Sequence, residues 1–374
     1  MWSIAVDILI ADRGKLLTAL VGVVFSVVLV NVQGGLFIGL LRRAGLLVDN
    51  GKAEVWVGHK AMHNIDFPRD VPRRWVHRIR SVDGVHRAEP YLIGFSEMTL
   101  PSGGYEGVTV VGVDPATLLG GAWNIAEGRA DAVLQNDGVI IDQCEVEKLE
   151  HPQLAEVREI GGHRARIASF SNGIMGFLVA PYVFTTYDRA AKFLKKGANS
   201  CSYFLVQLEP TADADEVCRD IQQRVPEAEV LTREEFSWIS IDFWMKRTGL
   251  GITFGAATAL GLLVGLIMVA QTLYALVLDR IGEFGTLKAI GATQQQIRFI
   301  LLAQALVMAV TGSLAGLLAV LAIQYAYHTP RAPIMIPWWL SLGSCVLVLV
   351  ICLVSSLLPW QRLRRVDPHT ILQS

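Results

Sequence analysis

The residue types able to carry catalysis are present in this chain, but their spacing assembles none of the usual sites. A helix-borne zinc hydrolase needs two histidines four apart around a glutamate, so that both imidazoles and the base share one face. His59 and His63 are four apart. No histidine-plus-carboxylate set surrounds the pair, so they read as solvated surface. No Gly-x-Ser-x-Gly nucleophile turn occurs, and no nucleophile–base pair is supported by spacing. A phosphate-cradling Gly-x-x-x-x-Gly-Lys-(Ser/Thr) loop is also missing: Lys15 and Lys52 follow glycine, but neither is followed by Ser or Thr. The chain therefore reads as non-catalytic, with no cofactor and no metal of its own. Cys144, Cys201 and Cys218 lie in a polar middle region, where an odd number allows at most one pair. Cys345 and Cys352 lie in an apolar run and read as packing residues.

The most informative polar residues are those of 279–298. Ile281, Phe284, Leu287 and Ala289–Ile290 recur at spacings of three or four, which predicts a short amphipathic helix. Arg280, Glu283 and Lys288 form its polar face. Gly291 ends it, and Thr293 with Gln296 predicts a capping box opening the next helix. One reading is an interfacial helix lying on a bilayer. The face carries both charge signs rather than a basic stripe, so anionic lipid is not its evident partner, and its form suits a groove in a soluble protein.

The elements that position this segment are membrane spans. Only 18% of the 374 residues are charged against 52% hydrophobic, and the deficit concentrates in long uncharged runs, the membrane pattern. Residues 16–41, 248–278, 299–327 and 334–360 are each long enough to cross a hydrocarbon core of about 30 Å. The first is too long for a signal-peptide core. The last has Pro337-Trp338-Trp339 and Pro359-Trp360 at its ends, as interfacial tryptophans would be. The short link holding His328 and Arg331 makes the last two spans an antiparallel hairpin. A formal net charge of −1 offers nothing to a nucleic acid.

Residues 42–247 read as a water-soluble α+β domain between the first two spans. Ala53–Gly58, Val108–Val113, Val139–Asp142 and Ser202–Leu208 look like strands. Val71–Val82 and Ala212–Val225 look helical, each followed by a strand. This predicts a pseudo-duplicated α+β unit with a β-rich insertion over about 100–195. Short-loop cations orient the chain: Arg13 and Lys15, the segment Arg280–Arg298, and the tail with Arg362, Arg364 and Arg365 fall on one side. Arg42-Arg43 argue weakly the other way. The fold class is thus a polytopic α-helical membrane protein of four spans, N-in and C-in. It has a cytoplasmic amphipathic segment at 1–15, an extracytoplasmic α+β domain at 42–247, a cytoplasmic helix within 279–298 and a cytoplasmic tail at 361–374. Glycines four apart at Gly35/Gly39, Gly251/Gly255, Gly261/Gly265 and Gly312/Gly316 predict close helix packing, within a bundle or in a dimer. Asn31, Gln33, Gln271 and Gln304 read as interhelical hydrogen-bonding groups.

The run Arg280, Glu283, Phe284, Gly285, Leu287, Lys288, Ala289, Ile290, Gly291, Ala292 resembles the signature that follows the second span in the FtsX/MacB-type ABC permease family. Val111-Gly-Val-Asp-Pro115 is similar to a run in the family's outer domain, and Pro368 and Leu372 to its closing tail. Leu17–Gly39 and Glu283–Ala289 look closest to the DevC branch. The resemblance implies a permease subunit of an ABC transporter of the mechanotransmission kind, in a bacterial cytoplasmic (inner) membrane. It implies that ATP and Mg bind a separate ABC ATPase subunit, since MacB's fused ATPase has no counterpart here. It also implies a second permease copy in a homodimer, a periplasmic membrane-fusion adaptor as a possible partner, and Arg280, Glu283, Phe284, Leu287, Lys288 and Gly291 as the coupling residues, with Phe284 and Leu287 as apolar anchors in the ATPase. Lipid, glycolipid, peptide and drug remain open as cargo. An FtsX-like regulator of a cell-wall hydrolase is the alternative, though the outer domain is larger than that role needs. A membrane sensor is a third reading, for which neither terminus supplies an output domain.

Overall fold

The computed structural model describes residues 2–327 and 333–364. His328, Arg331 and the run from Arg365 through Pro368 to Leu372 lie outside the described residues. The chain opens with α1 (Trp2–Ala11), α2 (Arg13–Ala44) and α3 (Leu46–Asn50). There follow β1 (Val55–His59), β2 (Val71–Pro72), α4 (Trp75–Ile79), β3 (Val85–Thr99), β4 (Tyr105–Val113), β5 (Ile125–Glu127) and β6 (Gly138–Asp142). Next come β7 (Val157–Ile160), β8 (His163–Ser171), β9 (Tyr182–Thr186), α5 (Tyr187–Phe193), β10 (Ser200–Cys201) and β11 (Tyr203–Leu208). α6 (Ala214–Arg224), β12 (Ala228–Thr232) and α7 (Arg233–Arg247) precede the closing helices: α8 (Leu250–Asp279), α9 (Ile281–Ala289), α10 (Gln294–Tyr327), α11 (Trp338–Ser355) and α12 (Leu357–Arg364). Two compact units result, Leu40–Thr248 and the remainder.

In the helical unit, Arg13–Ala44, Leu250–Asp279, Gln294–Tyr327 and Trp338–Gln361 are long and apolar enough to cross a membrane. The last run becomes helical only at Trp338, not at 334, because Pro337 disfavours helical backbone at the residue before it. It breaks again at Ser356, where the ring of Pro359 would meet the carbonyl of Ser355. α2 is the axis of the bundle. A Cβ on Gly261 would strike Leu29, one on Gly265 would strike Ser26, and ones on Gly312 and Gly316 would strike Val23 and Val27. Gly35 and Gly39 likewise face Ile336 and Pro333. All six glycines are therefore used inside one chain. Ser26 Oγ donates to the carbonyl of Gly261 at 3.1 Å. Asn31 Nδ2 donates to Ser344 Oγ at 2.7 Å, and Ser341 Oγ donates to Asn31 Oδ1 at 3.2 Å. In lipid such bonds have no water to compete with them, so they fix helix register.

The other unit is built on one ten-stranded sheet of order β12-β1-β11-β3-β4-β9-β6-β8-β5, with β7 pairing β3 and β8. Its first four strands are all antiparallel neighbours. With α4 leading into β3 and α6 leading into β12, they form a split β-α-β pair, the physical form of the duplication read in the sequence. The strands of the insertion extend the same sheet instead of forming a separate one: β4 continues from β3, and β9 pairs with β4 in parallel. The central strands are buried on both faces. Val55, Val57, Phe204 and Val206 join Val76, Ile79, Val217 and Ile221 of α4 and α6. Trp56, Tyr203 and Leu205 point the other way, to Leu47 of α3 and Phe236 of α7. This is the period-two alternation of a strand with helices on both sides. The helix expected over 71–82 is confined to Trp75–Ile79, because Val71 and Pro72 pair with Cys201 and Ser200. All five cysteines are free thiols.

Candidate functional site

The short helices α1, α9 and α12 gather at one end of the helical unit. A single apolar cluster holds Ala5 and Ile8 of α1, Val277 of α8, Phe284 of α9, and Ile297, Ile300 and Leu301 of α10, with Leu287 and Trp360 packed against it. Gln304 Nε2 donates to the carbonyl of Ala5 at 3.4 Å, and the Arg298 guanidinium lies 5.4 Å from the Trp360 ring. Lys15, at the start of α2, pairs with Asp12 at 3.0 Å and with Asp279 at the end of α8. The start of α2, the α8–α10 connection and α12 are thus on the same end of the bundle.

The 279–298 segment resolves into α9 and the first turn of α10. Arg280 caps α8 and pairs with Glu283 three residues on at 3.3 Å, the arginine partly buried and the glutamate exposed. Gly291 has φ +103°, and Ala292 N–H bonds the carbonyl of Leu287 at 2.9 Å, the six-to-one bond of a glycine-ended helix. Thr293 and Gln296 cap α10 reciprocally, at 2.8 and 3.3 Å. Lys288 lies within α9; its side chain is outside the described set.

Phe284 requires a correction. It is 1% exposed, enclosed by α1, α8 and α10, so it is not a surface anchor for a partner. Leu287 is half-buried against the same cluster. Phe284 and Leu287 are covered by the chain itself, because α1 folds back against α10, whereas Ile290, read as part of the same stripe, is not. Among the described residues, those left open are Glu283 and Thr286 on α9 and Ile290 just past its end, at spacings of three and four, and Ile290 is 86% exposed.

A second arrangement, in the sheet unit, was not apparent from sequence. Trp244 near the end of α7 donates its indole N–H to Asp66 Oδ2 at 3.0 Å and stacks on Phe177 at 4.2 Å. Burial pushes the Asp66 carboxyl up to about 6, while the Trp244 hydrogen bond acts in the opposite direction. α7 is thereby fastened to the segment after β1 and to that after β8. Its start is a reciprocal capping box between Thr232 and Glu235. That Thr-x-x-Glu ahead of Phe236 was the available sequence signal for this helix. His59 Nδ1 lies 2.7 Å from the carbonyl oxygen of Lys60, while the His63 ring stacks on Phe243.

Two family models match the chain. The MacB-like periplasmic core domain matches residues 16–224, and the FtsX-like permease C-terminal region matches residues 255–368. The chain belongs to the FtsX/MacB-type family of ABC transporter permeases and is a multi-pass protein of the cytoplasmic membrane, its sheet unit an extracytoplasmic α/β domain. Among curated relatives, it is 30% identical over 125 residues to the pyoverdine export ATP-binding/permease protein PvdT of Pseudomonas syringae pv. tomato, a match covering 33% of this chain and 19% of that protein. It is 31% identical over 125 residues to the PvdT of Pseudomonas fluorescens, with the same coverage. Among solved structures, the periplasmic region of MacB from Actinobacillus actinomycetemcomitans is similar at TM-score 0.38 and 9% identity, covering 50% of this chain and 94% of that one. The extracellular domain of the noncanonic ABC-type transporter YknZ from Gram-positive bacteria is similar at TM-score 0.36 and 14% identity, covering 48% and 98%. The family assignment rests on the sequence models alone.

Proposed function

We propose that the chain couples ATP hydrolysis on a separate ABC ATPase subunit, which holds ATP and Mg, to movement of the extracytoplasmic domain during export. The termini and α9 would lie in the cytoplasm. The observation that carries this is the Phe284 cluster. It joins α9 to α1, α8 and α10, so a displacement of α9 is passed directly to two spanning helices. Packed cores of this kind move as a body because interiors resist deformation. The ATPase would grip Glu283, Thr286 and Ile290, while Phe284 and Leu287 hold α9 to the permease. Two permease copies, and a periplasmic adaptor, complete the assembly on this reading. The likeness to pyoverdine export proteins favours export over control of a cell-wall hydrolase.

The test is twofold. A reporter fused after Ser374 should be active only as a cytoplasmic fusion, and one inserted near Gly103-Gly104 only outside. Ile290→Asp should abolish co-purification of the ATPase while membrane insertion and dimer mass are retained. Reversed reporters, or an Ile290→Asp complex with full ATPase activity, would overturn the mechanism.

A further inference from the structure

Arg247 closes α7 and Gly249 caps the spanning helix α8, so connectivity alone holds the end of α7 within a few residues of the bilayer surface. A cavity of about 470 Å³ opens on this part of α7, lined by His63, Ile239, Asp242, Phe243, Lys246 and Arg247. It is amphipathic in a directed way. Lys246 and Arg247, both exposed, form its cationic end. Asp242 holds Lys246 at 2.7 Å from the neighbouring turn. Ile239 and Phe243 form an apolar floor.

From that floor an aromatic ridge leads away. Phe243 lies 6.5 Å from Phe67, and Phe67 lies 5.9 Å from Phe95, ring centre to ring centre. Phe67 and Phe95 are 53% and 47% exposed. Exposed phenylalanines joined in a row mark a binding surface more often than scattered ones do.

We propose that this cavity and ridge seat one anionic phospholipid of the outer leaflet, with its phosphate at Lys246 and Arg247 and an acyl chain along Phe243, Phe67 and Phe95. Charge complementarity selects the anionic headgroup. The apolar ridge selects a chain-bearing ligand over a free anion. The inference rests on the extracytoplasmic placement of the domain and is independent of the ATPase contact.

The test uses the full chain in neutral detergent with a photoactivatable phosphatidylglycerol and its phosphatidylcholine counterpart. Phosphatidylglycerol should label the peptides carrying Phe67 and Phe243, in preference to phosphatidylcholine. Lys246→Gln with Arg247→Gln should cut that labelling by roughly thirtyfold, bringing it near the phosphatidylcholine level. Phe67→Ala with Phe95→Ala should weaken labelling by both lipids alike. All four residues named for substitution are on the surface, so the fold is retained, and thermal unfolding of each variant checks this. Labelling confined to the spanning helices, labelling of the doubly neutralised variant equal to wild type, or complete displacement by millimolar inorganic phosphate would each overturn the proposal.

Discussion

Trp244 donates its indole N–H to the buried carboxylate of Asp66 across 3.0 Å, tying α7 to a loop that follows β1. Burial raises the folded carboxyl from 3.8 to about 6, so between these values the folded state holds a proton that the unfolded state has lost. Stability therefore falls as pH rises from about 4 to about 6, and levels off above. The charged form costs roughly 2–3 kcal/mol at neutral pH. Asp66→Asn keeps an oxygen for Trp244 and removes the charge. Thermal unfolding of the full chain in detergent should show the variant more stable than wild type at pH 7.5 and nearly equal to it at pH 4. A variant less stable at both would mean that the ionised carboxylate is itself the stabilising form.

Phe284 and Ile290 should separate cleanly. Phe284→Ala empties a buried site and should cost about 3–5 kcal/mol, read as a lower unfolding temperature of the isolated permease. Ile290→Ala removes an exposed side chain and should leave that temperature within a degree or two. Its effect should appear only in ATPase affinity, weakened by about tenfold or more if Ile290 fills a pocket on the partner. The opposite assignment of effects would restore Phe284 as the docking residue.

Gly265 offers a test of the bundle. Its missing side chain is the space occupied by Ser26, whose hydroxyl bonds the carbonyls of Gly22 and Gly261 at 3.0 and 3.1 Å. Gly265→Val should destabilise the helical unit by about 1–3 kcal/mol. Gly343→Ala, where nothing lies within 4 Å, should be neutral or slightly stabilising. Equal effects would mean that the α2–α8 approach is not set by glycine.

Asn31 joins α2 to α11 through Ser341 and Ser344. Replacing it by Leu should cost about 1–2 kcal/mol, the ordinary worth of two interhelical bonds in lipid. Resistance to thermal aggregation in detergent measures it, and Ser344→Ala should account for about half. An unchanged Asn31→Leu variant would leave these bonds without a structural role.

What the sequence disclosed follows from the range of the physics involved. Uncharged runs reveal spanning helices because bilayer thickness is a local constraint on composition, and only the breaks at Pro337 and Pro359 moved the ends of the fourth. The periodic stripe on α9 was equally plain, yet periodicity shows which face is apolar and not what covers it. The cover for Phe284 comes from Ala5 and Ile8, far away in the chain. The same limit hid Asp66, whose partner Trp244 lies 178 residues on. The start of α7 was missed although Thr232 and Glu235 offer a capping box, which is a local signal. The order of the split β-α-β strands was not legible, because β1 and β12 pair although they lie far apart in the chain.

That meeting has an evolutionary consequence. β1 begins soon after the chain leaves the first spanning helix, β12 ends just before α7, and the two lie side by side with Val55 opposite Thr232. The two ends of the sheet unit's chain are therefore joined by one strand pair. Strands from β4 to β9 hang from the far side of the same sheet. They can be lengthened, shortened or exchanged between lineages without disturbing that pair, so the far half of the sheet can diverge while the strands that close it stay the same.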